Sequence, residues 1–140
     1  MSTLADTARA FASLGRALRG IPQPAFDQPT YVHYRLLGES RGGVTLYVNP
    51  LDNGTVCVTA AVCSIDDTYC KEEGRQLAKM RQAMRGPFKK FWIENVGPRS
   101  EMFAAFDAVA RHAWLSTQNC HDVYSNLFRT RAGECIVQVA

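Results

Sequence analysis

The feature that most constrains the fold of this chain is a strict alternation of small residues over residues 55–63. The even-numbered positions hold Val56, Val58, Ala60 and Val62, and the odd-numbered positions hold Cys57, Thr59, Ala61 and Cys63. Successive side chains of a β-strand point to opposite faces, so the pattern predicts a strand with one apolar face. Two further runs with strand character, residues 31–37 and 44–48, precede it across short loops. The sequence therefore predicts an antiparallel meander whose apolar face must be covered.

Three amphipathic segments are predicted to form helices. The first spans residues 4–19, and the second follows a cap-like stretch at residues 64–67 and ends near Arg85. The third begins at Ser100 and carries the strongest apolar stripe of the chain, made by Met102, Phe103, Phe106, Val109, Ala110, Ala113 and Trp114. After a polar stretch at residues 120–131, a last strand is expected over residues 134–139.

The second helix is expected to cover the apolar face of the meander, because it follows the third strand directly. Its helical spacing predicts that Leu77, Met80 and Met84 are buried. The same spacing predicts that Lys71, Arg75 and Lys79 are exposed on the other side. Gly74 interrupts this helix at a cost of about 1 kcal/mol relative to alanine. We interpret that glycine as a point of close packing against the sheet or a neighbouring helix.

These elements predict an α+β fold, in which an antiparallel β-meander of three to five strands carries three helices packed mainly on one face. The chain has 140 residues, which fits one domain over residues 1–140. The sequence shows no internal repeat and no domain boundary. It also lacks an apolar run long enough for a signal-peptide core or a membrane span, so we expect a cytoplasmic protein without membrane contact.

The cysteines predict reduced thiols and no metal site. Five are present, an odd number, at Cys57, Cys63, Cys70, Cys120 and Cys135. Neither these cysteines nor the three histidines show the close paired spacing of a closed zinc site. We therefore expect no disulfide, no metal and no cofactor.

The most informative stretch for function is residues 75–92, which is basic and aromatic. Its candidate partner-binding residues are Arg75, Lys79, Arg81, Arg85, Lys89, Lys90, Phe91 and Trp92. Basic groups with exposed aromatic rings suit single-stranded nucleic acid, whose phosphates they neutralise and whose bases they stack on. The same residues also suit an acidic protein surface. A third interpretation is a solvated helix face followed by aromatic residues of the core.

Catalysis is the least favoured class of function. Cys120, His121 and Asp122 are consecutive, and consecutive residues seldom converge on one reacting atom. The chain has no glycine-rich phosphate loop. We therefore expect a protein that is not an enzyme and has no catalytic residues.

A family resemblance covers residues 56–78. Here a hydrophobic strand runs into a helix with the pattern D-x-[FY]-x-K-x-x-G-R-x-x-A, at Asp67, Tyr69, Lys71, Gly74, Arg75 and Ala78. This segment resembles small, mostly uncharacterised proteins encoded by tailed phages and prophages. The resemblance implies a phage or prophage origin, but it supplies no catalytic residues.

The resemblance and the basic segment lead to one expected function and one alternative. We expect a non-enzymatic phage accessory protein that acts in the bacterial host cytoplasm, where it binds and inhibits a host macromolecular complex. An inhibitor that resembles the anti-CRISPR proteins is the most specific form of this expectation. Its partner would be a host protein or a ribonucleoprotein complex. The alternative is a single-stranded nucleic-acid-binding protein. The sequence leaves the oligomeric state open.

Overall fold

The computed structural model describes residues 24–86, 88–117, 127–131 and 134–138, with side chains as far as Thr130. In chain order the elements are β1 (Thr30–Leu36), β2 (Arg41–Pro50), β3 (Thr55–Thr68), α1 (Lys71–Ala83), β4 (Phe91–Glu94), α2 (Arg99–Thr117), β5 (Leu127–Arg131) and β6 (Glu134–Gln138). The predicted α+β class is confirmed. Two of the three predicted helices are present, and the one predicted over residues 4–19 lies outside the described residues.

The strands form one sheet in the order β4-β3-β2-β1-β5-β6, and every neighbouring pair is antiparallel. The predicted meander is β1–β2–β3. The described sheet has six strands, so the expected range of three to five was too low. The strand β4 begins within residues 88–93, which the sequence left open between a short strand and an irregular segment, and the strand that was missed is β5, which begins within the stretch predicted to be polar. It pairs with the outer edge of β1 and in turn pairs with β6.

The helix α2 covers the apolar face of the sheet, which we call the α2 face. Its predicted stripe is confirmed, since Met102, Phe106, Val109, Ala110 and Trp114 are buried. Beneath them lie apolar side chains of four strands, Val32, Tyr34, Leu36, Val44, Leu46, Val48, Val56, Val58 and Leu127. This layer is the main hydrophobic core.

The helix α1 lies on the opposite face, which we call the α1 face. Thr59 Oγ1 donates a hydrogen bond of 2.6 Å to the carbonyl oxygen of Ala78 in the middle of α1. Ala78 is buried with Tyr47 and Ala61, whose side chains alternate with those of the α2 face. The prediction that the helices pack mainly on one face was therefore wrong. The helix that covers the apolar face is α2, whose large apolar residues match it.

The buried side of α1 was also predicted incorrectly. Leu77, Met80 and Met84 are 40–47% exposed. The side that meets the sheet is made of small residues, Gly74 and Ala78. A Cβ atom on Gly74 would collide with the Thr45 side chain, which confirms the interpretation of that glycine as a close contact. The helix therefore packs by close backbone approach, and this leaves its larger apolar residues outside.

The start of α1 differs from the prediction as well. Residues 64–67, which were expected to cap the helix, belong to β3, and α1 begins only at Lys71. Its N-cap residue is Cys70, which makes no side-chain capping hydrogen bond. Within the described part of the chain, no helix combines the length and the apolar character needed to cross a membrane.

Candidate partner-binding surfaces

The structure divides the basic segment of residues 75–92 among several parts of the molecule. It starts in α1, continues through the connection after that helix and ends in β4. Arg75 is half-buried and its Nη2 atom lies 3.3 Å from Glu72 Oε2, whereas Lys79 and Arg85 are exposed. The eight predicted residues therefore do not form one continuous surface.

Arg81 has a structural role. Its Nη1 atom donates a hydrogen bond of 2.9 Å to the carbonyl oxygen of Ala60 in β3. Its guanidinium lies 4.8 Å from the centre of the Phe88 ring. Ala60 lies beyond the four residues of β3 that pair with β4, so the guanidinium satisfies a carbonyl group at an open sheet edge. Arg81 thus holds α1 and the connection to β4 against the sheet.

Phe91 and Lys89 lie toward the α2 face. Phe91 packs against the main core and meets the His112 ring edge-on at 5.8 Å between centroids. Lys89 Nζ lies 3.4 Å from His112 Nε2 and 5.1 Å from the centre of the Phe91 ring. Both Phe91 and Trp92 were predicted to be partner-binding residues, either of which could anchor a partner. In the structure only Trp92 is largely exposed, because the two point to opposite faces of β4.

Trp92 is the most exposed large apolar residue of the described chain, at 61%. It stands opposite Cys57 on β3, and Gln82 Nε2 donates a hydrogen bond of 2.9 Å to the carbonyl oxygen of that cysteine. The C-terminal end of α1 therefore lies beside Trp92. Burial raises the pKa of the Cys57 thiol, and the nearby Lys90 ammonium partly opposes this increase. We call Met84, Arg85, Lys90 and Trp92 the Trp92 surface; Glu94 is the carboxylate on the same side of β4.

A second polar cluster lies at the other flank of α1, near its N-terminal end. His33 Nδ1 is 2.8 Å from Tyr69 Oη and 3.1 Å from Thr45 Oγ1, and these two oxygens are 2.9 Å apart. The Arg35 guanidinium lies 4.6 Å from the centre of the Tyr69 ring. Gly43, at φ 149°, has the Tyr69 ring where a Cβ atom would be. Close packing on two glycines, Gly43 and Gly74, thus fixes the cluster.

Burial and the neighbouring charges shift the pKa values of His33 and Tyr69 in this cluster. Burial, together with the cationic groups of Lys71 and Arg75, lowers the pKa of His33 to about 4. Burial raises the pKa of Tyr69 to about 12. Both side chains are therefore neutral at pH 7.

Sequence reasoning missed this cluster. The alternation along β1 could have indicated it. Tyr31, His33 and Arg35 alternate there with apolar residues that point to the α2 face, so the three lie together on the α1 face. We call the region between α1 and the exposed part of β1 and β5 the α1–β1 groove. Its wall is Lys71, Arg75 and Lys79, and its floor is Tyr31, His33, Arg35 and Phe128.

The other chemistry-bearing residues do not form a metal site in the described part of the chain. Cys57, Cys63 and Cys70 are free thiols there, and no three histidine, cysteine or acidic side chains come together as ligands. Cys120, His121 and Asp122 lie outside the described residues.

Comparison with known proteins gives no match, whether the chain is compared with protein-family models, curated proteins or solved structures.

Proposed function

We propose that this chain is a non-enzymatic accessory protein of phage or prophage origin that binds a host macromolecular complex through the Trp92 surface and inhibits it. The observation that carries the proposal is the exposure of Trp92, which stands opposite Cys57 where the C-terminal end of α1 reaches β3, in a stretch that also carries the exposed Met84 and the basic Arg85 and Lys90. Interface energy concentrates in tryptophan and arginine residues that a partner buries. The resemblance of residues 56–78 to phage accessory proteins supports the origin.

The chemistry of this surface favours an acidic protein partner. Arg85 and Lys90 lie within seven residues of Trp92 in the sequence, and Glu94 is the only carboxylate among residues 75–94. Complementary charges raise the rate of encounter and fix the orientation of the partner, while the apolar centre supplies the stable contact. Such a protein acts stoichiometrically in the bacterial host cytoplasm, by occupying a surface that the host complex needs.

The test is protection of a phage in bacteria that carry an active CRISPR system against it. Expression of the wild-type chain should restore plaque formation, and the protein should copurify with a component of the host complex. The variant Arg85→Glu, Lys90→Glu, Trp92→Ala should lose both effects. Arg81 is left unchanged, because its hydrogen bond to Ala60 and its contact with Phe88 make it part of the fold.

A matched control carries Lys71→Glu and Lys79→Glu, which change the charge by the same amount on the other flank of α1. It should protect the phage as the wild type does. Thermal unfolding must show that both variants are folded. A folded Trp92-surface variant that still binds and protects at full strength would rule out this surface. A wild-type chain that neither protects the phage nor copurifies with the complex would rule out the anti-CRISPR form of the proposal.

A further inference from the structure

The wall of the α1–β1 groove is a row of cations with regular spacing. Lys71, Arg75 and Lys79 are each four residues apart on α1, and therefore about 6 Å apart along the helix axis. Both lysines are exposed and make no ion pair with any described residue, whereas Arg75 is paired with Glu72. Successive phosphates of an extended single strand have a similar spacing. The row thus suits a linear polyanion.

The floor of the groove consists mainly of aromatic rings. The register places His33 opposite Thr45, under the first turn of α1, and Tyr31 opposite Tyr47, against which its ring packs at 5.1 Å. Phe128 of β5 stands opposite Arg35. These floor side chains are only partly buried, and no described helix lies over them. The floor from residue 31 to 35 is about 13 Å long, close to the roughly 12 Å of the wall.

The charge balance in the groove is positive. Arg35, Lys71, Arg75 and Lys79 face it, while Glu72 is already paired with Arg75. The carboxylates of Asp67 and Glu73 lie near the Cys63 thiol, at the end of the groove where Arg35 also lies. The Arg35 Nε–H has no hydrogen-bond partner among the described residues. Lys71 and Arg75 also add to the effect of burial in lowering the pKa of His33.

We propose that the α1–β1 groove binds single-stranded nucleic acid over two to three nucleotides, with the phosphates along Lys71, Arg75 and Lys79 and the bases on the rings of the floor. Unpaired bases can stack on Tyr31 and Phe128, whereas the bases of a duplex are already stacked on one another. The site lies on the flank of α1 away from the Trp92 surface. It is therefore independent of the proposed inhibition.

The test is fluorescence anisotropy with a labelled ten-nucleotide oligo(dT) and its RNA counterpart. The wild-type chain should bind both at low salt, with an affinity that falls as salt rises. Lys71→Ala with Lys79→Ala should weaken binding by about tenfold or more, and should reduce the slope of log affinity against log salt by about 1.4, since each phosphate contact contributes about 0.7. Neither lysine contacts the core, so the variant should fold.

The matched control is Arg85→Ala with Lys90→Ala, which removes the same two charges from the Trp92 surface. It should bind the oligonucleotide within about twofold of the wild type. Phe128→Leu keeps an apolar side chain on the floor but removes the ring, and should weaken binding by about tenfold through lost stacking.

Three results would overturn the proposal. The first is no binding of either oligonucleotide by the wild-type chain at low salt. The second is an equal loss of affinity in the control pair and in the lysine pair, since that would mean a diffuse attraction. The third is a duplex of the same length that binds as tightly as the single strand.

Discussion

Gly74 is the residue that sets how closely α1 approaches the sheet. A Cβ atom there would lie 2.9 Å from the Thr45 Cβ and closer still to its hydroxyl oxygen. Thr45 is fully buried and its hydroxyl is bonded to Tyr69 and His33, so it cannot move aside. We expect Gly74→Ala to lower the free energy of unfolding by about 1–3 kcal/mol, the usual cost of overpacking. In an exposed helix the same change would add about 1 kcal/mol. Urea denaturation measures the difference.

The control for this substitution is Gly86→Ala, because a Cβ atom on Gly86 meets nothing within 4 Å. Its free energy of unfolding should stay within about 0.5 kcal/mol of the wild type. A Gly74→Ala protein as stable as the wild type would show that α1 sits farther from the sheet than the structure places it.

His33 makes stability depend on pH. The pKa of His33 is about 4 in the folded chain, against an ordinary value of 6.5. Between these two values the unfolded chain carries the proton and the folded chain does not, so lowering the pH favours the unfolded chain. The stability of the wild type should therefore fall as the pH is lowered from 6.5 toward 4, and should be unaffected by His33 above pH 7. Denaturation of the wild type and of His33→Gln across this range is the measurement. The loss should be smaller in the variant, which lacks the titrating ring; identical pH profiles would contradict the environment described for His33.

At the scale of elements, the two helices differ in what they bury. Phe106 of α2 is fully buried, whereas Met80 of α1 is 47% exposed. We expect Phe106→Ala to cost about 3–5 kcal/mol of unfolding free energy. Met80→Ser should cost about 0.5 kcal/mol or less, as surface substitutions usually do. Chemical denaturation of the two variants is the measurement. A large loss of stability in the Met80→Ser protein would mean that Met80 is buried, as the helical periodicity of α1 alone predicts.

The sequence was sufficient for elements whose burial depends on apolar periodicity. The strands β1–β3 and the stripe of α2 were predicted because apolar side chains recur there at the period of the element. For α1 this reasoning was wrong, since Gly74 and Ala78 let the backbone approach the sheet and Leu77 lies outside. The strand β5 was missed because its buried residues include Arg129 beside Leu127. An arginine is buried only when distant residues compensate it, and a local pattern does not reveal them.

The candidate surfaces were predictable only in part. The exposure of Trp92 agrees with its expected role as an anchor, although the role itself stays a prediction. The groove floor combines residues 31–35 with residue 128, which become neighbours only when β1 pairs with β5. Local sequence patterns carry no information about that pairing, so the floor could not be assembled before the sheet order was known.

At the scale of the whole molecule, α1 acts as a ridge that separates two cationic regions. The Trp92 surface lies beside its C-terminal end, toward β4, and the α1–β1 groove lies along its other flank. The net charge of +3 is small, so neither region dominates the field of the molecule. Each proposed site depends on its own local geometry, so charge-matched variants can distinguish them.

On the α2 face, one buried ionic network joins three parts of the chain. Tyr34 of β1 donates a hydrogen bond of 2.5 Å to Asp107 Oδ1 of α2, and Arg129 Nη1 of β5 lies 3.4 Å from the same oxygen. Arg129 also lies 4.4 Å over the Phe103 ring. Burial raises the pKa of Asp107, although Tyr34 and Arg129 both favour its charged form. The network therefore connects the sheet to α2, although the burial of Asp107 and Arg129 removes their charged groups from water.

Removal of the carboxylate should consequently weaken the whole fold rather than one edge of it. Asp107→Ala leaves Arg129 as a buried charge without its counter-ion, a change that typically costs about 3–5 kcal/mol. Tyr34→Phe removes one hydrogen bond and should cost about 1 kcal/mol. Because the main hydrophobic core still joins α2 to β1 and β5, the Asp107→Ala protein should still unfold in one transition. Far-UV circular dichroism and the fluorescence of Trp114, in a Trp92→Phe background, should then give the same midpoint. Separate midpoints would mean that α2 detaches from the sheet on its own once the network is broken, and that the core alone does not couple them.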